Sequence, residues 1–190
     1  MELTGERLIP ADRATTWAAI NDPAILQSCI AGCESLERTD DDAFAAVVAL
    51  RVGPVSAKFK GTLRMLDIRP AEHCTLQFEA QGGAAGFGKG SAEVDLSDAG
   101  PARTMLRYTS KASVGGKMAQ IGSRLVDAAA AKLAEDFFTA FEARLAPPAE
   151  AARPRAPADA ATRGPDRRGL VAAILVAVVL AAIAAYAWMR

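Results

Sequence analysis

Gly115–Pro148 reads GGKMAQIGSRLVDAAAAKLAEDFFTAFEARLAPP. Within it Met118, Ile121, Leu125, Ala129, Leu133, Phe137, Phe141 and Leu145 recur at three- and four-residue intervals, the period of one apolar helix face. The Gly115-Gly116 pair marks a start, and Pro147-Pro148, which cannot continue a helix, marks an end. The spacing predicts one helix of roughly seven to eight turns, long for a single domain.

Upstream of that helix the period changes to two. Phe44, Ala46, Val48, Leu50 and Val52 alternate with their neighbours, as do Ala57, Phe59, Gly61, Leu63 and Met65. Cys74-Leu76-Phe78-Ala80, Gly90-Ala92-Val94-Leu96 and Leu106-Tyr108-Ser110-Ala112 repeat the pattern, with polar residues between. One wet and one dry face per strand means an antiparallel, half-buried sheet. Gly53-Pro54, Arg69-Pro70, Gly82-Gly83 and Ala99-Gly100-Pro101 supply the turns. Asp12 is placed to cap a short helix holding Trp17 and Ile20, which stops at Asn21-Asp22-Pro23, and a further helical turn holds Ile25 and Leu26. The fold class is therefore α+β over residues 1–146: a curved antiparallel sheet wrapped around a long C-terminal helix.

Many inward strand positions are small: Ala46, Ala57, Gly61, Ala80, Gly90, Ala92, Ser110 and Ala112. Interiors are close-packed. Either the helix docks very near the sheet or an apolar cavity remains for a small ligand.

Residues 147–169, PPAEAARPRAPADAATRGPDRRG, lack the large apolar groups a core requires and read as a disordered linker. Leu170–Met189 contains no charged residue and, at ~1.5 Å per residue, reaches the ~30 Å of a bilayer core. Residues 170–190 are thus expected to be a single-pass anchor. Arg163, Arg167 and Arg168 precede it and only Arg190 follows, which directs the domain to the cytoplasmic side of the membrane. Met1-Glu2-Leu3 runs straight into alternating sequence with no basic and apolar leader pattern, so no signal peptide is expected. From Ala146 onward six Arg and three acids leave +3, so the globular part carries −3 within a formal net charge of zero. A broad basic surface, and with it a nucleic-acid partner, is not expected.

The chemical motifs are sparse. Gly86-Phe87-Gly88-Lys89-Gly90-Ser91 looks like a phosphate loop, but a strand follows where a helix N-terminus is needed; it reads as a mobile hairpin loop with Phe87 at its tip. Cys29, Cys33, His73 and Cys74 fit no common zinc spacing and read as free thiols beside a lone His, so no metal is expected. His73 has no visible orienting partner, and no catalytic residue is assigned. Lys117 and Arg124 read as solvated charges or as contacts to an acidic partner or to the headgroup of a bound ligand.

Several stretches together resemble the CoxG family, the G subunit of carbon monoxide dehydrogenase, within the START-like, polyketide-cyclase (SRPBCC) superfamily of helix-grip folds. They are Trp17 with Asp22-Pro23, Cys29 through Cys33-Glu34, Val52–Gly61, Val114–Leu125 and Phe137-Phe138. Ala31 stands where the family usually has proline. The resemblance implies a helix-grip domain with an apolar cavity. It also implies a non-catalytic accessory role beside a molybdenum hydroxylase of the CO dehydrogenase type at the cytoplasmic membrane.

Joined to the membrane tether, the cavity suggests a carrier for a respiratory quinone, menaquinone or ubiquinone, drawn from the membrane lipid and quinone pool, with no tightly bound cofactor. Its lining is expected from Phe59, Leu63, Phe78, Leu106, Tyr108, Met118, Ile121 and Leu125, with Tyr108 and Ser110 as hydrogen-bond donors and Phe87 as a gate. Two other readings stand beside it: a ligand-free docking or assembly factor, and an enzyme acting on an apolar substrate.

Overall fold

The computed structural model describes residues 1–146. The linker expected at 147–169 and the anchor expected at 170–190 lie outside them. Among the described residues no helix is long and apolar enough to cross a membrane.

The chain runs β1 (Glu2–Ile9), α1 (Arg13–Ile20), α2 (Pro23–Cys29), β2 (Cys33–Asp40), β3 (Ala43–Val52), β4 (Val55–Arg69) and β5 (His73–Gln81). A 3-10 turn (Gly83–Ala85) leads to β6 (Phe87–Asp98), β7 (Thr104–Gly115), α3 (Lys117–Gln120) and α4 (Ser123–Leu145). The seven strands form one antiparallel sheet ordered β1-β7-β6-β5-β4-β3-β2. Hairpins join β2 through β7, while α1 and α2 carry the chain from one edge to the other. Register shifts in β2 and in β4, where Asp67 takes a positive φ of 49°, mark irregularities of the kind that bend a sheet.

Local chemistry sets the short helices. The Asp12 carboxylate accepts from the Thr15 N–H at 2.8 Å, which holds the Asp12 pKa below its usual value. Asp22 accepts from Ala24 N–H at 2.8 Å, with Pro23 in the first turn.

Three sequence expectations change. The five alternating segments form β3 to β7, but the sheet has two more strands, β1 and β2, one at each edge. Their burial alternates weakly because an edge strand shares less of the core. The long helix is two helices: Gly122, at φ 93°, breaks the run after α3. Across the break the buried stripe moves by one residue in its first half, to Val126, Ala130 and Ala134, while Phe137 and Phe141 are buried as expected and Phe138 joins them. Finally, Phe87 is not a loop tip: β6 begins there, paired with Gln81 and Gly115.

Rings occupy much of the space that small inward residues leave. Phe78 lies over Gly90, where a Cβ would meet its Cζ at 2.7 Å, and Phe59 lies over Gly82 at 2.5 Å. From the helix, Phe137, Phe138 and Phe141 are fully buried, with ring centroids 5.4 and 5.6 Å apart. Each such ring contributes roughly 1.5–3 kcal/mol by leaving water.

Candidate functional site: the space between sheet and helix

Two almost wholly apolar voids lie between the central strands and α4, and a third space, about 340 Å³, opens at the sheet edge between Met1–Leu3 and Asp127–Ala131 with Glu2 and Asp127 in its walls. The inner void, about 60 Å³, is walled by Ile20 of α1, Leu26 of α2 and Ile30 just after it, and by Leu36, Leu63, Met65, Leu76, Leu106 and Phe137. The second, about 50 Å³, lies toward the N-terminus of α4 among Leu50, Val52, Phe59, Phe87, Met118, Val126, Ala129 and Leu133. This end of the domain is formed by the β3–β4 turn, the segment before β6 and α3, and is called the mouth below. Pockets for drug-sized ligands span ~300–1,000 Å³. Both voids are smaller, so a ligand of that size requires the walls to part.

The expected lining residues divide among distinct places. Leu63 and Leu106 face the inner void; Phe59, Met118 and Phe87 face the mouth void. Phe78 is buried over Gly90. Ile121 is half-buried at the break before α4 and lines neither void. Leu125 is turned outward, 44% exposed, and leans on the turn at Gly53. Its expected inward position extrapolated one helical period across Gly122; the break rotates Val126 inward instead. Phe87 is 45% exposed, with its ring laid against Gly115.

Tyr108 and Ser110 are buried, yet neither lines a void. Tyr108 stacks on Phe138 at 5.6 Å, and the Arg7 guanidinium sits 5.4 Å from the same ring. Arg7 also pairs with Glu135, tying β1 to α4. Tyr108 Oη and Arg7 Nε are the two buried side-chain polar atoms without a hydrogen-bond partner among the described residues. Burial raises the Tyr108 pKa well above the usual phenol value and also raises that of Glu142 on the next turn of α4. Sequence periodicity did not mark this seam, because Arg7 and Glu135 look like surface charges until β1 and α4 are brought together.

Nucleophilic chemistry is poorly provided for. Burial pushes the Cys74 thiol up to about 12 and also raises Cys29 and Cys33. His73 does have a partner the sequence did not show: the β5–β6 register sets its Nδ1 2.8 Å from Asp95 Oδ1. Neighbouring strand residues point to opposite faces, so Cys74 in the core and His73 outside form no dyad. No group of three or more His, Cys, Asp or Glu among the described residues is arranged to hold a metal.

A family model for CoxG, the G subunit of carbon monoxide dehydrogenase, matches residues 5–146. A conserved protein from Geobacillus kaustophilus has a similar structure, with a TM-score of 0.72 and 32% identity, over 76% of this chain and 95% of that one. A START superfamily protein from Mycobacterium smegmatis is similar at a TM-score of 0.58 and 15% identity, over 76% and 96% of the two chains. The Zhui aromatase/cyclase from Streptomyces sp. R1128 has a TM-score of 0.58 at 10% identity, over 76% and 93%. The last two likenesses identify the fold as START-like and say nothing further. No curated protein matches.

Proposed function

This chain belongs to the CoxG family of carbon monoxide dehydrogenase, and on that premise we propose that it is a non-catalytic, membrane-anchored accessory protein. Its domain takes up a respiratory quinone or a similar apolar lipid between sheet and α4. Its tail brings a molybdenum hydroxylase of the CO dehydrogenase type to the cytoplasmic membrane.

The observation that carries the reading is the pair of voids with almost wholly apolar walls, one beside exposed apolar side chains at the mouth. Such walls offer a quinone ring or isoprenoid chain a place out of water. The raised thiol pKa values and the separation of His73 from Cys74 favour a carrier over an enzyme. The linker and charge-free segment read from residues 147–190 supply the tether in this proposal.

The test is organic extraction and mass spectrometry of full-length protein purified from native membranes in mild detergent. The expected result is a near-stoichiometric quinone on the wild-type chain. It is lost in Ala129→Phe, which fills the mouth void from a half-buried position of α4. One observation favours a second reading: voids of about 60 and 50 Å³ suit a ligand-free docking factor. Extracts with no lipid above detergent background, together with full hydroxylase recruitment, would select it.

A further inference from the structure

Three of the four exposed large apolar side chains among the described residues, Met1, Phe87 and Leu125, lie around the mouth; the fourth, Leu8, lies at the other end of β1. The charges are as uneven. The mouth turns, residues 52–55, 81–87 and 115–124, contain Lys117 and Arg124 and no acid, and Arg51 flanks the first of them. None of these three cations has an acidic partner among the described residues; the acids beside the mouth are Glu2 and Asp127, which share a groove with Met1. At the opposite end, turns 40–42, 67–72 and 98–103 hold Asp40, Asp41, Asp42, Asp67, Glu72 and Asp98 against Arg69 and Arg103.

We propose that the mouth end docks on an anionic lipid bilayer. Phe87 and Leu125 enter the headgroup region, Arg51, Lys117 and Arg124 meet anionic headgroups, and the acidic end points away. Rings and aliphatic chains at the rim gain by leaving water, and each basic residue near an anionic surface adds about five-fold to binding. The inference deepens the proposed function: the mouth void would open onto the phase in which an apolar cargo is dissolved.

Docking also constrains the tail. From Leu125 at the mouth to Leu145 α4 runs ~30 Å, and along its length it packs on α2. The chain therefore leaves the domain ~30 Å from Leu125. The 23 residues of 147–169 reach at most roughly 80 Å, enough to return along the domain to a membrane under the mouth. Deleting 151–166 leaves seven, with a reach of at most ~25 Å, which is too short.

The test uses full-length protein in vesicles of phosphatidylcholine and phosphatidylglycerol bearing brominated acyl chains. Phe87→Trp is read by fluorescence in a Trp188→Phe background, and Leu125→Trp is a second reporter on another element. Trp17, on α1 beside the far end of β6, is the internal control: β6 spans about 36 Å between Phe87 and Asp98, and Arg13 of α1 bonds Asp98 at 3.0 Å.

The expected result is quenching of Trp at position 87 and at 125 but not of Trp17. Quenching should weaken in pure phosphatidylcholine and disappear with the 151–166 deletion. Two folded reporters left unquenched, or Trp17 quenched equally, would overturn the proposal and point to a protein partner at the mouth. If quinone copurifies while the reporters stay unquenched, docking fails and the carrier reading stands. Quenching without copurified quinone means the reverse.

Discussion

The inner end of the grip and the mouth hold together by different means. At the inner end large side chains fill space: Phe137, Phe138 and Phe141 are fully buried, and α1 and α2 cover the wall. At the mouth the backbone does much of the work. A Cβ on Gly86 would collide with the Gly115 carbonyl, and one on Gly116 would lie 2.5 Å from the Gly86 Cα. The segment before β6 and the turn before α3 thus touch main chain to main chain, with apolar groups left in solvent around them. Parting the inner end would expose the three buried rings of α4; parting the mouth would expose one ring, Phe59, and the smaller Val52, Met118 and Val126. If a ligand enters, the mouth is the cheaper side to open.

The largest test of this contrast is Phe138→Ala. Loss of a fully buried ring stacked on Tyr108 is expected to cost ~3–5 kcal/mol, read as the urea midpoint. Leu125→Ala at the mouth is expected to change stability by less than about 0.5 kcal/mol. Equal costs would erase the distinction between the two ends.

Gly86→Ala comes next. Its φ of 117° alone costs an alanine about 1–3 kcal/mol, and the collision with Gly115 adds to that. Gly83→Ala, in the same segment at φ 55° but with open space around it, should lose only about 1–2 kcal/mol. A Gly86→Ala cost no larger than the Gly83→Ala cost would show that the backbone contact is unimportant.

Tyr108→Phe sharpens the picture of the β1–α4 seam. Its hydroxyl is buried without a partner, so removing it is expected to stabilise the domain by about 1 kcal/mol. A lower melting temperature would mean that the hydroxyl has found an acceptor.

The smallest effect concerns Glu142. Its pKa is raised mainly by burial, with Arg7 opposing and Glu135 reinforcing the shift. The folded chain then holds this proton more tightly than the unfolded chain. The associated stability is complete below the ordinary value of 4.5 and is lost as pH rises through the folded pKa. Glu142→Gln should remove that decline, giving a flatter plot of urea midpoint against pH above 4.5. Unchanged slopes would place Glu142 in water.

Much of the fold was legible because period two and period 3.6 are written directly in residue order. The Ala46-Phe44 and Leu63-Phe78 rows share a face whatever lies beyond them. The edge strands were less legible, since β2 ends in a run of exposed residues and carries little pattern. Of the site residues, those on central strands point inward as alternation requires. Leu125 does not, because a helical period holds only while the helix is unbroken. Cavity size was not legible: a small residue on one strand says nothing of whether a neighbour's ring leans over it, as Phe78 does over Gly90.

By itself, the sequence determined the class of fold, the central strands and the Asp12 helix cap. These depend on contacts within a few residues, or on which face a residue takes. Only the tertiary structure decided the shift of the buried stripe after Gly122, the His73–Asp95 pair, the orphaned Tyr108 hydroxyl and the division of the interior into two small voids. Each depends on groups far apart in the chain whose distance is set by strand register and helix docking, and residue order does not encode that distance locally.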